Sequence, residues 1–262
     1  MCAVYRVQHF RHSERTGMID LHCHIIPHLD DGAFDAHVSC QMARHLLQCG
    51  VRTVVATPHS NLEGTRTGFL SPLYWQRFGL FRALLRQARI PLRVLPGSEL
   101  LADPSNLAGL LRDRLPIPLN GTDYLLVEFA FSTPGAEITA MLDDIRGAGY
   151  RPVVAHPERY YAVQEQLRWA ETWFDRGYLL QINKGSLLDR LGRSAFETSN
   201  RLLARGMVDV IASDAHDMRM RPPGFQTLLP ILQRLCTPEY VRLLLDENPN
   251  RILKNRTVRE AP

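Results

Sequence analysis

From Met18 onward the chain alternates short apolar runs with amphipathic stretches. The runs are Ile19–His22, Thr53–Thr57, Leu92–Pro96, Tyr124–Phe129, Val153–His156, Tyr178–Asn183 and Val208–Ser213. They are rich in Val, Ile, Leu and Tyr and bounded by Gly, Pro or Asp, the pattern of parallel strands covered on both faces. Between them, Val38, Met42, Leu46 and Cys49 recur at helical spacing and stop at Gly50, which predicts a helix closed by a glycine cap. Phe78, Phe81, Leu84 and Leu85 repeat the pattern. So do Ile138, Met141, Leu142 and Ile145, ahead of Gly147 and Gly149. Seven strand–helix units without a linker or internal repeat predict an α/β protein, a closed or nearly closed (β/α)7 barrel. A doubly wound sheet would gather its ligands at one switch point. Here the chemistry follows almost every run.

The first run leads through His22 and His24 to Asp30 and Asp31, inside "IDLHCHIIPHLDDG". The second ends at His59 ("ATPHS"), and the third leads into Glu99 ("PGSEL"). The fourth ends at Glu128 ("LVEF"), the fifth at His156 and Arg159 ("AHPER"), and the seventh at Asp214 and His216 ("ASDAH"). In a β/α barrel the C-terminal strand ends meet on one face, where active sites are built. A single histidine there is most simply a hydrogen-bonded core residue. The set is not, because so many carboxylates cannot stay ionised together without cations. Side chains two apart on a strand face the same way, so His22 and His24 can hold one ion from one direction. Mixed imidazole and carboxylate donors suit Mn, Fe or Zn better than Ca or Mg. Of the paired aspartates, Asp31 is expected at or near an ion and Asp30 to hold the turn or orient a histidine, a division that rests partly on the family resemblance given below.

Composition narrows the setting. The 262 residues are 45% hydrophobic and 22% charged, an ordinary globular balance with ample material for a core. A net charge of +4 is compatible with an anionic substrate and too weak to imply nucleic acid. Five irregularly spaced cysteines (Cys2, Cys23, Cys40, Cys49 and Cys236) form no CxxC pair and no disulfide framework, which points to a reducing, cytoplasmic setting. No apolar run has the length of a membrane span. Residues 1–17 are polar and basic, and lack the apolar middle of a signal peptide. They are expected to be a disordered appendage to one domain covering residues 18–262.

The stretches "DLHCHIIPHLDDG", "ATPH", "GSEL", "LVEF", "AHPER", "INKGSL" and "ASDAH", in this order, resemble the PHP (polymerase and histidinol phosphatase) family of trinuclear metal phosphoesterases. The resemblance covers nearly the whole chain from Met18 and is to the branch of CpsB/YwqE-like bacterial protein-tyrosine phosphatases. It implies a distorted (β/α)7 barrel of the PHP type. It also implies three divalent transition-metal ions, Mn foremost, held by His22, His24, Asp31, His59, Glu99, Glu128, His156, Asp214 and His216. Arg159 and Arg221 match the family's phosphate-binding arginines. The implied substrate is a phosphotyrosyl protein, a bacterial tyrosine kinase that regulates capsule or exopolysaccharide synthesis. Lys184 departs from the small residue usual in "INKGSL"; facing the mouth, it would add a cation near the phosphate.

Clustered ions can activate a nucleophile, neutralise the transferring group and stabilise the leaving oxygen. Guanidinium groups clamp a phosphoryl group bidentately, which a lysine does less well. A small-molecule phosphatase of the same fold, such as one acting on histidinol phosphate, is the alternative. An amidohydrolase would want a bridging lysine after the fourth run, where Glu128 stands, and a non-catalytic binding module would not need the full donor set. Cys236 and Arg242 fit the C-x5-R spacing of cysteine-dependent phosphatases. But "CTPEYVR" places a glutamate and a proline where that loop needs free N–H groups. It reads better as a helix start, with Thr237 as N-cap and Pro238 at the first position. Phe69, Tyr74 and Trp75 either rim the mouth, gripping a phosphotyrosine ring, or pack beneath their loop.

Overall fold

The computed structural model describes residues 17–60 and 72–259. Residues 1–16, most of the predicted appendage, and Phe69 lie outside that range. Eight parallel strands are present: β1 (Met18–Cys23), β2 (Val51–Ala56), β3 (Arg93–Pro96), β4 (Glu99–Leu101), β5 (Tyr124–Glu128), β6 (Arg151–Ala155), β7 (Leu179–Asn183) and β8 (Val210–Ala212). They form two sheets, β1-β2-β3 and β4-β5-β6-β7-β8. The sheets join into a ring at two seams. At one, His24 N–H donates to the Ala215 carbonyl at 2.8 Å and Asp214 N–H to the His22 carbonyl at 2.9 Å. Beside them the buried carboxylate of Asp20 accepts from Ser213 N–H at 3.0 Å, tying β1 to β8. At the other seam, Glu99 N–H donates to the Pro58 carbonyl and Ser60 N–H to the Glu99 carbonyl.

The ring has the seven predicted positions, and its distortion lies in the third. There the single predicted run is broken into β3, paired with β2, and β4, paired with β5. The break falls at Gly97, where a Cβ would stand 2.7 Å from Val55 Cγ1. The Tyr74 hydroxyl donates to the Gly97 carbonyl and accepts its N–H. Tyr74 is therefore a fully buried support under the turn that delivers Glu99, while Trp75 is half-exposed beside it.

The helices form where apolar spacing and caps agree. In α1 (Ala36–Gln48) the Asp35 side chain accepts from Val38 N–H at 2.8 Å, Met42 and Leu46 are buried, and Gly50 follows in the left-handed region at φ 82°. α2 (Pro72–Gln87) buries Tyr74, Phe78, Phe81 and Leu85. The helix Gly135–Gly147 buries Ile138, Met141, Leu142 and Ile145. Thr237 caps the helix Pro238–Arg242 as predicted, and Arg242 pairs with Glu247 at 2.7 Å, so the C-x5-R spacing builds no phosphate loop. Among the described residues no helix is long and apolar enough to cross a membrane.

Candidate metal centre

The ring delivers to its C-terminal face the histidines and carboxylates that the strand-end pattern named. His22 and His24 project from the end of β1 toward Glu99 at the start of β4 and Asp214 just past β8. His22 Nε2 lies 3.1 Å from Glu99 Oε2, 3.3 Å from Asp214 Oδ1 and 3.2 Å from His24 Nε2. His24 Nε2 lies 3.3 Å and 3.5 Å from the same two carboxylate oxygens. Four donor atoms about 2.1 Å from one tetrahedral centre would sit ~3.4 Å apart. The observed spacing matches.

The protons point elsewhere. His22 Nδ1 meets Gln181 Oε1 at 2.8 Å, and Gln181 is oriented by donating its amide to Asn183 Oδ1 at 2.9 Å. Asn183 in turn donates to Asp214 Oδ2 at 2.7 Å. His24 Nδ1 meets Asp30 Oδ2 at 2.7 Å. Both imidazoles therefore carry a proton on Nδ1, and as neutral rings each turns an Nε2 lone pair toward Glu99 and Asp214. Four electron-pair donors face one another, an arrangement that only a cation or added protons can satisfy. In the metal-free protein protons take that place. Burial alone would push the His22 imidazole down, yet Glu99 and Asp214 raise it to about 9. Burial would push both carboxyls up, and the imidazoles hold them well below the usual carboxylate range.

Two further convergences adjoin the first. Asp31 Oδ1 stands 3.5 Å from His59 Nε2 and 3.4 Å from His216 Nε2. His59 Nδ1 lies 2.8 Å from Glu128 Oε1 and 3.2 Å from Glu99 Oε2, and His156 Nε2 lies 3.0 Å from Glu99 Oε1. Glu99 thus stands between two of the groups, with His59 facing two of them through its two ring nitrogens. His59 Nδ1 and His216 Nε2 are buried and, close as the carboxylates stand, meet none of them in hydrogen-bonding geometry, which fits donors arranged for ions. The donor set therefore suits a cluster of borderline transition-metal ions.

Of the adjacent aspartates of the opening motif, the first takes the turn-holding role expected of it. The Asp30 carboxylate is buried and accepts from His24 Nδ1, His59 N–H at 2.9 Å and Gly32 N–H at 3.0 Å, so it both closes the turn and orients His24. Gly32 is required there, because a Cβ would stand 2.3 Å from the His24 carbonyl oxygen. Asp31 is 55% exposed at the rim. His156 and Asp214, each just past a strand, have positive φ of 35° and 48°. In His156 that conformation also precedes Pro157, and such backbone costs ~1–3 kcal/mol, the kind of strain held at functional sites.

Arg159 and Arg221 flank the cluster. Arg221 Nη1 is 3.2 Å from Asp214 Oδ2 and its Nη2 3.6 Å from Asp31 Oδ2; Arg159 Nη1 is 3.8 Å from Asp214 Oδ2. The Arg159 guanidinium lies over the Phe131 ring, 4.3 Å from its centroid. His59, Glu99, Glu128, Phe131, His156, Arg159, Asp214 and Arg221 line a cleft of about 170 Å³. Lys184 does not face this cleft. It is 4% exposed and donates to the carbonyls of Pro222 and Gly224. Its ammonium therefore pins the loop that carries Arg221, instead of adding a cation near the phosphate.

A family model for capsular polysaccharide synthesis, CpsB/CapC, matches residues 18–254. The chain belongs to the CpsB/CapC family. It is 34% identical over 245 residues to the tyrosine-protein phosphatase YwqE of Bacillus subtilis, covering 94% of this chain and 95% of the relative. It is 30% identical to the tyrosine-protein phosphatase CpsB of Streptococcus agalactiae, covering 92% of this chain and all of the relative. Among solved structures it superposes with a TM-score of 0.81 and 32% identity, covering 94% of this chain and 98% of the other. That match comes from crystallographic work on YwqE from Bacillus subtilis and CpsB from Streptococcus pneumoniae, described as unique metal-dependent tyrosine phosphatases. The CpsB/CapC barrel thus carries, in this chain, the buried histidine and carboxylate clusters described above. Gln181, Asn183 and Phe131 are the site residues that strand-end spacing missed. The first two had left a signal, as polar side chains inside the buried run "LLQIN".

Proposed function

We propose that this chain is a metal-dependent tyrosine-protein phosphatase of capsular polysaccharide synthesis, acting on a phosphotyrosyl protein, specifically a bacterial tyrosine kinase of polysaccharide export. The observation that carries the reading is the meeting of the His22 and His24 Nε2 lone pairs with Glu99 and Asp214, beside two guanidinium groups, in a member of this family. His22, His24, Glu99 and Asp214 would hold one ion. Asp31, His59 and His216 would hold a second, and Glu99, Glu128 and His156, with His59 beside them, a third; Mn is the first choice and Fe or Zn the others. Bound there, the ions would supply Lewis-acid stabilisation of phosphoryl charge and lower the pKa of an attacking water.

The chain's own residues do the rest. Gln181 and Asp30 keep the protons on the Nδ1 atoms of His22 and His24, so that neither ring rotates its lone pair away. Arg159 and Arg221 approach from two sides and hold the non-bridging phosphoryl oxygens, each guanidinium presenting a planar fork. Phe131 keeps the Arg159 fork in place and walls the cleft with an apolar face for an aromatic leaving group. A tyrosine phenol leaves with a pKa near 10, so the chain needs no strong general acid at the leaving oxygen. Turnover of a phosphotyrosyl peptide against a phosphoseryl peptide and histidinol phosphate, with the Mn-loaded protein, tests the reading. Preference for the phosphotyrosyl peptide is expected. Preference for histidinol phosphate would assign a small-molecule phosphatase instead.

A further inference from the structure

Between Glu63 and Glu99 the sequence holds six arginines and no acidic residue. Five of them, Arg77, Arg82, Arg86, Arg89 and Arg93, lie among the described residues, and none pairs with a described carboxylate. Elsewhere in the chain arginines find such partners routinely, as in Arg146 with Asp143, Arg193 with Glu197 and Arg205 with Glu171. The unpaired set is concentrated on α2 and the edge strand β3. Arg82, Arg86 and Arg93 rim a groove of about 410 Å³ whose floor is Leu85, Ile90, Leu92 and Val94. Because the third barrel position is split, β3 pairs with β2 alone and ends its sheet beside this groove. The groove lies toward the N-terminal ends of the strands, away from the metal centre, and shares no lining residue with the cleft there.

We propose that this groove is a docking site for an acidic polypeptide segment of the phosphoprotein substrate, an inference that rests on the activity proposed above. The charge is of one sign, without a partner among the described carboxylates, and arranged along a concavity with an apolar floor. An extended chain fits such a shape, its apolar side chains on the floor and its carboxylates on the arginines. A flat anionic membrane would call for a convex cationic face, with no need of a groove. A segment held here can still present its phosphotyrosine at the far end of the barrel, since a dozen extended residues reach ~40 Å. Docking would raise the local concentration of a flexible phosphorylated tail at the cleft without adding a contact to the reacting group.

The test compares two peptides with the same phosphotyrosyl core, one extended through a dozen neutral residues to a run of glutamates. With the metal-loaded protein at low salt, kcat/KM for the extended peptide is expected to be roughly tenfold higher, with the advantage shrinking as salt rises. Arg82→Glu/Arg86→Glu/Arg93→Glu is expected to abolish that advantage. Turnover of p-nitrophenyl phosphate, metal content and Tm should stay as they are. Fluorescence anisotropy of the unphosphorylated glutamate segment reads the groove separately: were neither peptide hydrolysed, the proposed activity would fail while this binding still judged the groove. No binding of that segment by the native protein overturns the proposal, as does binding that the triple variant retains. Loss of p-nitrophenyl phosphate turnover together with metal would make the arginines structural. Loss of binding to phosphatidylglycerol vesicles with the peptide advantage intact would make the face a membrane contact.

Discussion

Replacing Arg159 with alanine separates phosphate binding from metal loading. The guanidinium stands 3.8 Å from Asp214 Oδ2, too far for a hydrogen bond, and makes no closer approach to a metal-donor atom. Its position is fixed from the other side, by the Phe131 ring at 4.3 Å. Arg221 is a poorer choice for the same test, because it also touches Asp31 and lies 3.2 Å from Asp214. A hydrogen bond to a charged group contributes ~1.5–3 kcal/mol, and two in a fork would give more. Arg159 is 23% exposed, so solvent screening brings the expected loss of transition-state stabilisation to about 2–4 kcal/mol. That is roughly 30- to 1,000-fold in kcat/KM. Inhibition by inorganic phosphate should weaken as well, with metal content unchanged. Arg159→Lys should recover part of the rate only, since an ammonium offers neither the fork nor the flat face that lies over Phe131. The assay is kcat/KM on a phosphotyrosyl peptide with elemental analysis of the same samples. A variant at full rate with full metal content places the phosphate elsewhere. One that loses its metals makes Arg159 a support of the cluster.

Three further outcomes are expected. Gln181→Leu removes the acceptor that holds the His22 Nδ1 proton, and should weaken metal binding ~10- to 100-fold in a chelator competition with the fold retained; unchanged affinity would deny Gln181 that role. Lys184→Met frees the carbonyls of Pro222 and Gly224 and should lower kcat/KM through Arg221, so the loss should vanish in an Arg221→Ala background; a loss of equal size in both backgrounds would show that Lys184 does not act through Arg221. In metal-free protein His22 is raised from its ordinary 6.5 to about 9, so its stabilising proton is fully present below pH 6.5 and lost as pH rises through 9. Tm of the metal-free protein should therefore fall across that window, while the metal-loaded protein stays flat; parallel profiles would contradict the cluster's electrostatics.

The convergence of histidines and carboxylates was legible because a parallel barrel converts strand-end position into spatial proximity: His59, Glu99, Glu128, His156 and Asp214 come from separate units yet share one face. The helices were legible where apolar period and cap coincide, as from Asp35 to Gly50. What was not legible depends on distances between units. Gln181 acts on a histidine 159 residues away, and its polarity inside an apolar run names no partner. The break at Gly97 arises from contact with Val55 and Tyr74, which no local pattern carries. Lys184 follows the end of β7 directly into a short helix, where strand alternation no longer sets direction, and it turned inward to the loop carrying Arg221.

Metal content and activity measured on the same samples decide whether the clustered donors hold catalytic ions. Native protein should carry more than one transition-metal ion per chain, three when fully loaded, and phosphotyrosyl-peptide turnover should fall with metal content under chelator and return on adding Mn²⁺. His22→Ala/His24→Ala, which removes two of the four donors facing one another at 3.1–3.5 Å, should lose both metal and turnover while remaining folded. An active protein without metal, or a double variant at near-native rate, would contradict the account.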